Sequence, residues 1–260
     1  NMVGNTGKTY GGGIQSYYAS TQIVNTQIQN NRTTTTHSGG VYAYVGAVTI
    51  EGSQIQSNQA VGNGGGVGLK YGAFRIRNST ISQNGASGRA GGIDADYGIW
   101  LDNTIIENNT ASAEAGGMYG GGLITNSTIR NNATPGNGGG MIGWGVFRNV
   151  DISNNNGATG GGIQAWNTMF YNSAVYGNST ASGAGGGIAL ASNSRGVVYL
   201  QDSTLHNNSG TGVYATVAFN GIVLRNSTIR GNSGGYGGGH VSGSECPRST
   251  VAQAWTRSLR

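Results

Sequence analysis

Residues 116–132 read GGMYGGGLITNSTIRNN and contain every part of a motif that recurs along the chain. A glycine pair precedes one apolar residue, a second apolar residue follows, and the segment closes on Asn-Ser-Thr-Ile-x-x-Asn. The aliphatic residue of this closing segment occurs nine times at intervals of 23 to 30 residues, at Ile28, Ile55, Ile81, Ile106, Ile129, Ile152, Val175, Leu205 and Ile229. Self-similarity at such a period is typical of solenoid proteins.

Two further columns accompany these aliphatic residues. An asparagine stands three residues after each, and a large apolar residue stands five residues before each. Because five is odd, the two apolar side chains would point to opposite faces of one straight strand, so a corner must separate them. The residue three before the aliphatic is asparagine in seven copies, with Gly52 and Asp202 in the others. These types tolerate the left-handed backbone that a tight corner needs.

The glycine pairs open another short strand in each copy, which completes the coil. Its first apolar residues are Ile14, Val41, Val67, Ile93, Met118, Met141, Ile163, Ile188 and Val213. Three short strands per coil of about 25 residues predict an all-β, single-stranded parallel β-helix of about nine coils, roughly 43 Å long at a strand spacing of about 4.8 Å. The variable coil length favours the right-handed form. The asparagines are expected to be structural and to hydrogen-bond from coil to coil.

The repeat divides the chain into three parts. The predicted β-helix covers 11–240. Residues 1–10 are interpreted as a lead-in, from which a preceding coil or domain has been lost or which is itself an interface. Residues 241–260 leave the repeat, and the helical spacing of Val251, Ala254, Trp255 and Leu259 predicts a short amphipathic cap.

Composition excludes several classes of protein. The chain has 51 glycines without a three-residue period, which excludes collagen. It has no apolar run of about 20 residues, so no membrane span is predicted, and its start lacks the apolar core of a signal peptide. Cys246 alone cannot form an internal disulfide, and the histidines lack zinc-ligand spacing. Three of the five net positive charges come from the tail, at Arg248, Arg257 and Arg260, which does not favour nucleic acid as a partner.

The pairing of GG-x-Ile with Ile-x-x-Asn resembles the GGA(I/L/V) and FxxN repeats of the polymorphic outer-membrane proteins, which are autotransporter-type adhesins. The resemblance covers residues 11–240, although this chain mostly has Ile where that family has Phe. It implies a right-handed β-helix passenger located outside the cell or at its surface. Related repeats occur in many secreted β-helix proteins, polysaccharide lyases included, so the motif is informative about the fold and leaves the function open.

Aromatic residues occupy many of the positions that alternation places on the outer face of the first strand. The predicted ligand-binding residues are Tyr17, Tyr42, Tyr44, Tyr119, Trp144, Trp166 and Tyr214. Aromatic faces stack on the CH groups of sugar rings, which predicts a carbohydrate-binding platform. The alternative is that these rings only stack on one another, as aromatic residues on strands commonly do.

A second column of apolar residues is predicted to face outward on the second strand. It comprises Trp100, Leu123, Val146, Met169, Tyr199 and Val223, in six consecutive coils. A contiguous apolar surface of this extent normally marks an interface with another chain or domain. The alternative is that the long turns of the same chain cover it.

Asp94 and Asp96 form the one candidate catalytic or metal site. Their spacing puts both carboxylates on the outer face of one strand, and Lys70 lies one coil earlier as a salt-bridge partner or proton acceptor. Gly68 and Gly121 are expected to leave open space beside the pair, where Ca²⁺ or a sugar could bind. No other cofactor is indicated. The alternative is an exposed ion pair that only solubilises this face.

Two hypotheses of function follow. The leading one is a non-catalytic extracellular adhesin or surface-fibre module that binds a polysaccharide, a cell-surface glycan or a protein, with self-association laterally or end to end. The alternative is a polysaccharide lyase or glycoside hydrolase that acts through Asp94, Asp96 and Lys70. The shortage of charged side chains, at 9% of residues, favours the first hypothesis.

Overall fold

The computed structural model describes residues 1–191, 196–215 and 221–234 and the backbone of the strand Gly239–Val241. Within these residues the chain is an all-β parallel solenoid without a helix. The nine repeated aliphatic residues stack in one column, each in register with its counterpart in the next coil. The predicted solenoid and its coil count are confirmed. The predicted cap lies outside the described residues, apart from Val241, which closes the last strand.

The strands form one long sheet, one narrow sheet and two short edge sheets. The fifteen strands of the long sheet are Ile14–Tyr17, Thr21–Val24, Val41–Glu51, Val67–Arg77, Ile93–Ala95, Ile99–Asp102, Met118–Tyr119, Gly122–Thr125, Met141–Arg148, Ile163–Tyr171, Ile188–Leu190, Val197–Gln201, Val213–Ala215, Gly221–Arg225 and Gly239–Val241. The ten strands of the narrow sheet are Met2–Val3, Gln27–Gln29, Gln54–Gln56, Thr80–Ser82, Ile105–Glu107, Thr128–Arg130, Asp151–Ser153, Ala174–Tyr176, Thr204–His206 and Thr228–Arg230. The first edge sheet contains the five strands Thr6–Gly7, Arg32–Thr33, Gln59–Ala60, Gly85–Ala86 and Thr110–Ala111. The second contains the two strands Asn156–Gly157 and Ser179–Thr180.

The observed strands differ in detail from the predicted coil of three separate short strands. In four coils the first and second strands are one continuous strand, because inter-coil hydrogen bonding continues through the corner between them; Val41–Glu51 is an example. The two-residue edge strands after the asparagine column were not predicted. Within the predicted lead-in, Met2–Val3 and Thr6–Gly7 pair with strands of the first coil.

The predicted left-handed corner is confirmed in every coil. Its nine residues have φ between 45° and 56°: Asn25, Gly52, Asn78, Asn103, Asn126, Asn149, Asn172, Asp202 and Asn226. A second left-handed column, which sequence reasoning missed, directly precedes the ladder asparagines at Asn30, Ser57, Gln83, Asn108, Asn131, Asn154, Gly177, Asn207 and Gly231. Two sharp corners therefore flank each strand of the narrow sheet and turn its aliphatic side chain into the core.

The asparagine column forms a buried amide ladder, as Asn155 illustrates. Its Oδ1 accepts hydrogen bonds from the backbone N–H and the Nδ2 of Asn132, at 2.9 and 3.0 Å. Its Nδ2 donates to Oδ1 of Asn178 and to the carbonyl of Ile129, at 3.0 and 2.9 Å. Each amide thus satisfies a backbone donor and a backbone acceptor that the turn would otherwise leave unpaired inside the protein.

The serine of Asn-Ser-Thr has a similar role. Ser127 Oγ donates to the carbonyl of Thr125 at 2.6 Å and accepts the N–H of Thr104 from the preceding coil at 3.1 Å. The same pattern at Ser53, Ser79, Ser173 and Ser203 explains why a small hydroxyl residue follows the corner.

The second glycine of each pair lies against a ladder amide. At Gly117 a Cβ atom would be 2.8 Å from Asn132 Cγ and 2.5 Å from the carbonyl oxygen of Gly140. We expect Gly117→Ala to lower the free energy of unfolding by about 1–3 kcal/mol through overpacking. Gly98→Ala is the control, since its nearest heavy atom is 3.9 Å away. Urea unfolding of both variants measures the difference, and equal midpoints would contradict the role of close packing.

Candidate functional site

The outer face of the first strand is divided into a covered and an exposed column. Tyr42 and Asp94 belong to the covered column and are only 4% and 1% exposed, because the turn before each glycine pair folds over them. Tyr10 and His37 pack on the Tyr42 ring, with centroids 4.7 and 6.1 Å away. Burial raises the pKa of the Tyr42 hydroxyl to about 12. The prediction that Tyr42 lies on an outer binding face is therefore wrong.

The structure brings Asp94, Asp96 and Lys70 together with Arg89, which sequence reasoning missed. Lys70 Nζ lies 2.8 Å from Asp94 Oδ2 and 2.7 Å from Asp96 Oδ2. Arg89 Nε lies 2.7 Å from Asp94 Oδ1, and its terminal nitrogen pairs with Asp96 Oδ1. Two cations and two anions thus alternate around a closed charge ring. Arg89 lies in the variable turn, where the repeat carries no signal for it.

The two positive and two negative charges of the charge ring neutralise one another. Lys70 and Asp94 are buried, so their charges require partners, and the ring provides them. Burial lowers the pKa of Arg89, but the charges of Asp94 and Asp96 outweigh this effect and the pKa is raised overall. The guanidinium carbon also lies 3.8 Å above the Tyr119 ring. Burial and the positive charge of Lys70 lower the pKa of the neighbouring His37, which favours its neutral form.

The expected open space beside the aspartates is absent. A Cβ atom at Gly68 would lie 1.9 Å from Ser38 Oγ, and one at Gly121 would lie 2.0 Å from the Trp144 carbonyl oxygen. All four carboxylate oxygens of Asp94 and Asp96 are already bound to Lys70 and Arg89. This arrangement does not fit Ca²⁺, which needs six or more oxygen ligands. In the part of the chain that the structure describes, no group of three metal-ligating side chains occurs.

Five tyrosines form a continuous tyrosine row next to the charge ring: Tyr17, Tyr18, Tyr44, Tyr71 and Tyr97. The Tyr17 and Tyr44 rings are stacked at 4.8 Å, and Tyr71 contacts Tyr44 at 5.4 Å and Tyr97 at 5.1 Å. Every member except the half-buried Tyr44 is about half exposed or more. Alternation missed Tyr18 and Tyr71 because both lie at a left-handed corner, with φ of 52° and 54°, where the period of two no longer predicts the side-chain direction.

A second aromatic group lies on the three coils that directly follow the tyrosine row. Trp166 contacts Trp144 at 5.3 Å and Tyr119 at 6.0 Å, and all three side chains are half-buried. The predicted residue Tyr214 is also half-buried and belongs to the covered column, in register with Ala189. The predicted ligand residues are thus divided among the exposed tyrosine row, a half-buried aromatic group and the covered column, to which Tyr119 also belongs through its register with Asp94.

The predicted apolar stripe, from Trp100 through Leu123, Val146, Met169 and Tyr199 to Val223, is in register over its whole length. Trp100, Leu123, Met169 and Val223 are 38–46% exposed, and the other two are half-buried. The described turns therefore leave the stripe open to contact. Whether another chain covers it stays a prediction.

A shallow groove of about 530 Å³ lies on the long sheet between the tyrosine row and the apolar stripe. Its floor consists of small residues, including Ala47, Ala73, Gly98 and Gly122. One side of the groove is lined by Arg75 and by two members of the apolar stripe, Trp100 and Leu123. Tyr97 directly precedes the groove residue Gly98 in the chain, and Tyr71 stands two residues before the groove residue Ala73, so the tyrosine row lies next to the groove on its other side.

Comparison with known proteins supports the fold. Residues 12–170 and 120–252 match the family model of the right handed beta helix region, so the chain belongs to this family, and the predicted right-handed winding is confirmed. No curated protein and no solved structure matches the chain. The family includes both adhesins and polysaccharide-active enzymes and fixes no particular function. The resemblance to polymorphic outer-membrane proteins stays a prediction. Among the described residues, no helix is long and apolar enough to cross a membrane.

Proposed function

We propose that this protein is a non-catalytic, extracellular glycan-binding module of the adhesin or surface-fibre type. The tyrosine row is the observation that carries the proposal. Its rings follow one another at roughly the coil spacing along the solenoid axis, so an extended sugar chain would meet one ring after another. Tyrosine suits this role because its ring stacks on sugar CH groups while its hydroxyl bonds to sugar hydroxyls.

The charge ring supports binding over catalysis. A glycoside hydrolase needs one carboxylic acid and one carboxylate that are free to exchange protons or attack a sugar carbon. In Asp94 and Asp96 every carboxylate oxygen is held by Lys70 or Arg89. Lys70 is equally committed to the two aspartates, so it is a poor candidate for the base of a lyase. We infer that the ring fixes the turn beside the tyrosine row and keeps that face rigid.

The apolar stripe is the second surface that the proposal concerns, as a contact with another protein chain. Its exposed members lie on a regular sheet surface, which is typical of a contact with a second chain. We infer that the part of the stripe from Val146 to Val223 contacts another protein, a second copy included, while Trp100, Leu123 and the tyrosine row remain available to a glycan. A module of this kind functions outside the cell, where polysaccharides are presented.

Replacing Tyr71 and Tyr97 together with alanine is expected to weaken glycan binding at least tenfold, because two stacking faces are lost from the end of the row next to the groove. A glycan array followed by isothermal titration on the best-bound oligosaccharide measures the change. Tyr176→Ala, on the narrow sheet and stacked on His206, is the control and should bind like the wild type. Assays for new reducing ends and unsaturated products accompany the titration. Turnover of any bound glycan would overturn the proposal in favour of the enzyme.

A further inference from the structure

Arg75 lacks the acidic partner that several other arginines of this chain have. Arg77, Arg89 and Arg130 each pair with a carboxylate. The guanidinium of Arg75 instead lies over the Trp100 ring, with its central carbon 3.9 Å from the ring centroid. Its Nε is buried without a hydrogen-bond partner, and the ion pairs among the described residues do not include it.

The two acidic side chains closest in register, Glu51 and Asp102, already have other partners, and that of Glu51 is Arg77. Asp102 lies on the strand that pairs with that of Arg75, but its Oδ1 accepts hydrogen bonds from Thr125 at 2.7 Å and from Asn126 at 2.9 Å. These hydrogen bonds, followed by weaker attraction to Arg75 and Arg77, lower the pKa of Asp102. The terminal nitrogens of the Arg75 guanidinium therefore have no acidic partner among the described residues and can donate to a ligand in the groove.

The position of Arg75 connects it to the proposed glycan surface. Arg75 and Trp100 line the groove, and Tyr71 and Tyr97 stand next to it on the opposite side, two residues before Ala73 and one residue before Gly98 in the chain. A sugar stacked on the tyrosine row would therefore extend its substituents over a floor of alanine and glycine toward the guanidinium. The small floor residues leave space for such a substituent.

We propose that this groove is a subsite for a carboxylated sugar, so that the glycan bound by the tyrosine row is a uronic-acid polysaccharide. This inference rests on the proposed function and names the class of its ligand. A guanidinium presents a planar fork of N–H donors that matches the two oxygens of a carboxylate. Stacking on Trp100 holds that plane in one orientation, which reduces the entropy lost when the carboxylate binds. A neutral sugar would leave the charge of Arg75 uncompensated.

The test compares acidic glycans with their own neutral forms. Hyaluronan and alginate oligosaccharides, each with a carboxyl-reduced counterpart, are titrated at low salt with wild type, Arg75→Gln and the control Arg148→Gln. Arg148 also stacks on a tyrosine ring, at 4.4 Å from Tyr171, but does not line the groove. Wild type and the control should bind at least one acidic oligosaccharide about tenfold more tightly than its reduced form. Arg75→Gln should lose this preference while its affinity for the reduced form and its melting temperature stay unchanged.

Other outcomes separate the two proposals. Equal affinity of wild type for acidic and reduced forms, or a preference that survives in Arg75→Gln, would overturn the carboxylate subsite and leave glycan binding intact. Sulfated oligosaccharides and a poly-aspartate peptide are titrated as well. If Arg75→Gln weakens the binding of only one of these anions and leaves the affinity for the uronic-acid oligosaccharides unchanged, the subsite for a carboxylated sugar is overturned in favour of that anion. Failure of every oligosaccharide to bind, in acidic and neutral form alike, would overturn the proposed function together with the subsite.

Discussion

Replacing Ile81 with aspartate is expected to abolish cooperative folding. Ile81 is fully buried between Ile55 and Ile106 in the central column of the narrow sheet. An aspartate there would lose the burial of an aliphatic side chain, about 1.5–3 kcal/mol, and would place an unpaired carboxylate in the core at a cost of several more. Together these losses approach the whole stability of an ordinary domain.

Thr80→Asp is the matched control for this prediction. Thr80 is the neighbouring residue on the same strand, half-buried on the outer side and in register with Gln54 and Ile105, which carry no negative charge. We expect its melting temperature to stay within a few degrees of the wild type. Circular dichroism and thermal melts measure both variants. A cooperative melt of Ile81→Asp near the wild-type temperature would show that this side chain does not face the core.

Replacing Asn155 with leucine is expected to lower the free energy of unfolding by at least about 3 kcal/mol. Leucine has a similar volume, but it removes the acceptor of two Asn132 donors and the donor to Asn178 Oδ1 and the Ile129 carbonyl. Each buried polar group that loses its partner costs about 1–3 kcal/mol.

Asn156→Leu isolates the contribution of the ladder. Asn156 is the next residue in the chain, its side chain is exposed, and it makes one side-chain hydrogen bond, to Ser179 Oγ at 2.9 Å. Urea unfolding of the two variants should differ by about 2 kcal/mol or more. Similar losses of stability in both would mean that water replaces the ladder amides, contrary to their buried position.

The repeat determined the fold from the sequence alone. The columns of Ile81, Asn84 and Asn78 each recur at one place in every coil, and each has a purely local physical requirement: a side chain to bury, a turn amide to satisfy and a left-handed corner to adopt. Because neighbouring coils pair residue by residue, a pattern that repeats in the sequence must stack in space. The apolar stripe followed from the same reasoning, since it too is a periodic column.

The candidate site depended on the parts of the chain that do not repeat. Arg89 joins Asp94 only because a variable turn folds back over the first strand, and the corresponding turn of an earlier coil, which carries His37, covers Tyr42 in the column predicted to be exposed. Tyr71 points outward because a left-handed corner interrupts alternation there. Sequence periodicity therefore determined the backbone solenoid, whereas exposure, charge pairing and the groove beside Arg75 were decided by the tertiary structure, because irregular turns obey no period.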